Sequence, residues 1–98
     1  MKRLANVHPG EVLKDEFLIP MGISQYRLAK EIGVPESRIS AICKGQRALV
    51  ADTAIRFAKF FGTSAGFWLG LQADFDTEEA EHKASEDLAK IHPWGKAA

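Results

Sequence analysis

The chain has 98 residues, 46% hydrophobic and 27% charged, with 13 Lys and Arg balancing 13 Asp and Glu. That length allows one small domain with its own core, and the composition is that of an ordinary soluble globular protein. Cys43 is the only cysteine, which excludes an intrachain disulfide framework and fits a reducing compartment. Lys2 and Arg3 make the start basic, but Asn6, His8, Pro9 and Gly10 interrupt any apolar run there, so no secretory leader is expected. No apolar stretch is long enough to cross a membrane, and the expected location is the cytoplasm. The neutral total conceals a dipole. Residues 1–62 hold ten Lys/Arg against six Asp/Glu, a net +4, and residues 63–98 hold three against seven, a net −4. A basic half and an acidic half suit two different partners, and phosphate is the natural counter-charge for the first.

Every element reads as a helix, and no alternating strand pattern of useful length occurs. The first starts at His8-Pro9-Gly10-Glu11, with Pro9 in its first turn and Glu11 favoured by the helix dipole. Val12, Leu13, Phe17 and Leu18 form its apolar stripe, and Pro20 and Gly22 are expected to stop it. Ser24 caps the second helix, which runs to Ile32 before Gly33. Pro35 opens a third that ends by Gly45. Asp52 is the expected cap of a fourth, with Ala54, Ile55, Ala58 and Phe61 inward and Gly62 as its stop. Ser64 caps a fifth, bearing Phe67, Trp68, Leu71 and Phe75. Asp76 and Glu79 read as a capping box for a sixth, reaching Ile91 before Pro93.

The second and third of these helices, SQYRLAKEIGVPESRISAICKG over residues 24–45, carry the strongest pattern. With Gln25 as position one, Ala29 is position five, where two short helices cross and only a small side chain fits. Gly33 is position nine, where the turn needs a backbone that tolerates positive φ. Leu28, Ile32, Val34, Ile39 and Ile42 fill the inward positions. This is the spacing of a helix-turn-helix, with one face of its second helix left free for DNA.

Residues 8–75 resemble the HigA-type antitoxins of the lambda-repressor-like (XRE) superfamily. HPGEVLKDEF, SQYRLAKEIGVPESRISAICKGQR and DTAIRFAKFFGTSAGFWLGLQADFD carry the likeness. The helix-turn-helix alone names only the superfamily, whereas HPGE and FFGTS followed by FWLGLQ point to the antitoxins. The chain departs from the family pattern at Val50 and Ala51, where Ser or Thr often starts the fourth helix. It also places Gly66 and Gly70 inside the fifth, each costing about 1 kcal/mol relative to Ala. The resemblance implies an all-α fold, a five-helix DNA-binding bundle over residues 1–75, with an acidic helix and tail over 76–98.

It also implies how DNA would be met. The outward side of the third helix presents Glu36, Ser37, Arg38, Ser40 and Ala41. Glu36 suits a cytosine amino group, Ser37 either base type and Ala41 a thymine methyl. Glu36 has a second reading as a favourable charge at its own helix N-terminus. Gln25 is placed to clamp a phosphate and brace the third helix. Arg27, Arg38, Lys44 and Arg47 suit phosphate, with guanine an alternative for Arg38. One such helix reads few base pairs, so a two-fold dimer on a palindrome with half-sites roughly 34 Å apart is expected. Residues 64–91 are the expected dimer or toxin surface. Trp68, Phe75, Leu88 and Ile91 are its candidates, while Phe67 and Leu71 suit either that surface or the core.

The family's partner toxins resemble small RelE-type messenger-RNA-cleaving nucleases, which must be basic to hold RNA. Ala80, Ala84, Leu88 and Ile91 form a narrow stripe flanked by Glu78, Glu79, Glu81, Glu86 and Asp87, an acidic surface suited to such a partner. The implied function is an antitoxin that binds a co-encoded toxin and represses its own operon. The alternatives are a stand-alone regulator and an interaction module that no longer binds DNA. Nothing in the sequence asks for a cofactor. Glu78 and His82 share one helical face but lack a third metal ligand, His8 and His92 stand apart from them, and Cys43 reads as a small packed residue. No phosphate-binding glycine loop or nucleophile set occurs, so an enzyme is not expected.

Overall fold

The computed structural model describes residues 6–95, which form six helices with no strand among them. Lys2 and Arg3, and residues 96–98 of the tail, lie outside the described residues.

Helix α1 is a rod in three parts: an α-helical turn Pro9–Val12, a π-helical stretch Leu13–Leu18 and a closing turn Ile19–Met21. The expected start is present, and its cap is His8 itself. The His8 Nδ1 accepts the Gly10 N–H at 2.9 Å, while Glu11 Oε2 accepts the His8 N–H at 3.1 Å. Pro20 does not stop this helix, contrary to expectation. Proline lacks an N–H and crowds the carbonyl four residues back, and the wider π turn ahead of it relieves that conflict. Leu13 and Leu18 are both buried, although a straight α-helix would rotate residues five apart by about 140°. The π register brings both onto the core side. Gly22 ends the rod at φ +67°, and the Ile23 N–H closes back on the Leu18 carbonyl at 3.0 Å.

Helices α2 (Gln25–Ile32) and α3 (Glu36–Cys43) form the expected pair, and α4 spans Ala51–Phe61. Asp52 does not cap α4. Val50 holds that position without a side-chain hydrogen bond, and Asp52 lies inside the first turn, where Arg56 and Arg38 engage it. Helix α5 starts after its Ser64 cap and runs unbroken from Ala65 to Lys83. The capping box at Asp76 and Glu79 therefore does not form. Nothing between Asp74 and Lys83 is Gly or Pro, so no residue ends the helix there, and Asp76 instead accepts the Gln72 Nε2 hydrogen at 2.9 Å. The break comes at Ala84, followed by the short α6, Ser85–Leu88, which leaves Ile91 beyond the last helix.

The core gathers Leu13, Leu28, Ile39, Ile42, Ala54, Phe57 and Trp68, all essentially inaccessible. Trp68 is thus a core residue and not an interface one. Its ring lies 4.9 Å from Phe17 and 5.1 Å from Phe57 between centroids, and its Nε1 donates to Thr63 Oγ1 at 2.7 Å. Phe67, for which core and interface were both open, is 41% exposed, because one step along a helix turns its neighbour by about 100° away from the core. Leu71 is partly buried against the core, and Phe75 is half-buried with its ring edge-on to His8 at 4.8 Å. Among the described residues no helix is long and apolar enough to cross a membrane.

Candidate nucleic-acid interface

The two helices that could meet DNA are set at their angle by backbone chemistry. Ser24 Oγ accepts the Arg27 N–H at 3.0 Å and starts α2. Gly33 ends it at φ +73°, and the Val34 N–H returns to the Ala29 carbonyl at 3.0 Å. Ala29 is buried at the crossing, as are Leu28, Ile39 and Ile42, while Val34 is nearly so and Ile32 packs partly against the core. Pro35 then precedes α3 as its N-cap without a side-chain bond, and the Arg38 N–H closes on the Pro35 carbonyl at 3.0 Å.

The candidate DNA residues differ in exposure. Glu36 and Ser37 are exposed on the first turn of α3, and Ser40 and Ala41 are half-buried one turn on. Lys44 and Arg47 are exposed just beyond the helix. Gln25 opens α2 half-buried, and Arg27 is exposed but paired with Glu31 at 2.8 Å. Arg38 is drawn back from this surface, its Nη1 3.4 Å from Asp52 Oδ2.

Behind that surface the end of α3 and its neighbours are held by residues that motif reading missed. A Cβ built on Gly10 would fall 1.8 Å from the Ile42 carbonyl oxygen, so only glycine lets α1 approach the recognition helix this closely. Gln72 is buried on α5 and its Oε1 accepts the Leu49 N–H at 2.7 Å, tying the segment after α3 to α5. Arg56 donates Nη1 to the Ile32 carbonyl at 2.8 Å and Nε to Asp52 at 3.0 Å, tying the end of α2 to α4. Asn6 Nδ2 bonds the Phe75 carbonyl at 2.8 Å and ties the start of the described chain to α5. The signal for Gly10 and Gln72 was in view, within HPGE and FWLGLQ, but their partners are 32 and 23 positions away in sequence.

Two titratable groups are perturbed by burial. Burial lowers the His8 imidazole below its ordinary 6.5, against the opposing pull of Glu11 and Asp76. The Cys43 thiol is pushed up by burial, with Lys14 working against the shift, so it is less a thiolate than a free cysteine. Among the described residues no three His, Cys, Asp or Glu side chains converge as metal ligands.

Comparison with known proteins places this geometry. The helix-turn-helix family matches residues 14–68. Virulence-associated protein I of Dichelobacter nodosus is 47% identical over 75 residues, covering 76% of this chain and 69% of that protein. Antitoxin HigA-1 of Vibrio cholerae is 36% identical over 87 residues, covering 89% and 82%. The solved structure of Pseudomonas aeruginosa antitoxin HigA with the higBA promoter superposes with a TM-score of 0.87 at 36% identity, covering 92% of this chain and 99% of that one. None of this points to an enzyme: the chain belongs to the helix-turn-helix family of DNA-binding proteins and, within it, to the HigA antitoxins.

Proposed function

We propose that this chain is an antitoxin that neutralises a co-encoded messenger-RNA-cleaving toxin and represses its own operon as a DNA-binding dimer in the cytoplasm. The observation that carries the DNA half is the surface of α3: Glu36, Ser37, Arg38, Ser40 and Ala41 on one helix braced from behind, with Lys44 and Arg47 beside it. Its near-coextensive match to a HigA solved with promoter DNA supports the same reading. Gln25 and Arg27 at the start of α2, with Lys44 and Arg47, serve as phosphate contacts. Ser37 and Ala41 reach base edges, and Glu36 either does so or favours its own helix N-terminus. Pairing across a palindrome uses the exposed flank of α5 on which Phe67 stands.

The toxin half rests on α6 and the end of α5. Leu88 and the 69% exposed Ile91 stand free amid exposed Glu78, Glu81, Glu86 and Asp87. Apolar anchors within an acidic field suit a basic nuclease, speeding encounter through charge and holding it by burial. Co-expression with the flanking genes, followed by affinity capture and mass measurement, is the test. A stoichiometric small basic partner is expected, and the chain recovered alone beside well-expressed neighbours would favour a stand-alone regulator. Deleting residues 78–98 should abolish toxin capture while DNA binding persists. Capture retained by the truncated chain would remove this segment from the toxin surface.

A further inference from the structure

Arg38 is the recognition-helix cation with two candidate acceptors, and the fold shows how it is held before DNA arrives. Its side chain is 27% exposed and reaches Asp52 Oδ2 through a long contact of 3.4 Å. Its Nε is buried and finds no hydrogen-bond acceptor among the described residues. The same Asp52 oxygen is held more closely by Arg56, whose Nε lies at 3.0 Å and whose Nη1 is anchored on the Ile32 carbonyl at 2.8 Å. The carboxylate therefore serves two guanidinium groups unequally. Arg56 is bound in a short i,i+4 pair fastened to α2, while Arg38 has a weak bond and an orphaned donor. An unsatisfied buried N–H is costly, and a contact of that length returns little. A phosphate or a guanine edge offers both acceptors that a guanidinium fork needs. When Arg38 leaves, Asp52 is still paired with Arg56, so no carboxylate is stranded.

We propose that Asp52 is a positioning residue that parks Arg38 until an acceptor of the right geometry competes for it, and so sets the ratio of operator to non-operator binding. On non-operator DNA, Arg38 stays on Asp52 and one cation is withheld from the phosphates. On the operator the guanidinium transfers by side-chain rotation alone. This inference rests on α3 facing DNA, as proposed above.

The test is Asp52→Asn in the full chain, titrated against the duplex upstream of its own gene and against a shuffled duplex at several salt concentrations. The variant should bind the shuffled duplex roughly three- to tenfold tighter, with a salt slope steeper by about one charge. Operator affinity should change less, so the ratio falls. In an Arg38→Ala background the substitution should do nothing. An equal gain on both duplexes, or a gain that persists without Arg38, would overturn the proposal, since removing any repelling charge does that much. Asp52→Ser provides a second variant if Asp52→Asn folds poorly, and the same outcomes apply. Wild-type protein that binds neither duplex would sink the DNA reading itself; a selective wild type indistinguishable from both variants sinks this inference alone.

Discussion

Between His8 and Phe75 the chain is packed from several directions, whereas from Asp76 to Gly95 only Ala84 is even half-buried. The contrast shows in the shape: principal extents of 55 × 30 × 21 Å and a radius of gyration of 16.8 Å, against about 13 Å for a compact domain of 100 residues. The near region fixes its recognition helix with backbone-to-backbone packing at Gly10 and the Gln72 bond to Leu49, and Arg56 ties α4 to the end of α2. The far region has its own helical hydrogen bonds, with bonds from Gln72 to Asp76 and from Asn6 to Glu79 at its near end, and is otherwise exposed. Rigid support suits a surface that must match a groove, and a lightly held acidic arm suits one that adapts to a protein partner. The two proposed binding functions divide along this line, because the one core supports only the near region.

The comparison breaks most visibly at Trp68. Trp68→Ala removes the centre of the aromatic cluster and should cost about 3–5 kcal/mol, enough to unfold much of the near region in a thermal melt. A melt shifted by only a few degrees would contradict a core built on this residue. Gly10→Ala comes next. Its methyl group meets backbone at Ile42 and cannot rotate away, so a loss of about 1–3 kcal/mol is expected, with weaker operator binding as α3 shifts. Unchanged melting and unchanged DNA affinity together would show that the approach of α1 is not needed.

Acid should act through His8. Its neutral Nδ1 accepts the Gly10 N–H, and burial holds the folded-state value below the unfolded 6.5. The unfolded chain therefore binds the proton first. The contribution is full above pH 6.5 and is lost as pH falls through the lower folded value. His8→Asn, which keeps a capping acceptor without an imidazole, should flatten the fall in melting temperature between pH 7.5 and 5. An identical fall in both proteins would acquit His8. The smallest effect has the opposite sign. A Cβ on Gly70 meets nothing within 4 Å, so Gly70→Ala should stabilise α5 by about 0.5–1 kcal/mol. Destabilisation in the full chain would mean that this position is closely approached in solution, as in a dimer.

Legibility in the sequence followed the range of the interactions. Ala29, Gly33 and Pro35 act within one turn of chain, and the helix-turn-helix they specify was readable residue by residue. Ser24, Ser64 and Gly62 likewise mark helix ends that form where local capping places them. Asp52 and Asp76 carry the same kind of local signal and read as caps. In the folded chain Arg56 and Arg38 claim the first and Gln72 the second. Of the candidate DNA residues, the sequence placed all on or beside two helices but could not show that Arg38 is turned inward.

The all-helical character, the place of the helix-turn-helix and the division of charge into a basic and an acidic half are all readable before folding is considered. Those properties depend on spacing, propensity and composition, which a chain carries before it folds. The tertiary structure alone decided that Trp68 and not Phe67 enters the core, that α5 continues past Asp76 and that Gly10 and Gln72 hold the recognition helix. Each depends on which distant residue arrives at a given face, and a partner tens of positions away leaves no local trace in the chain.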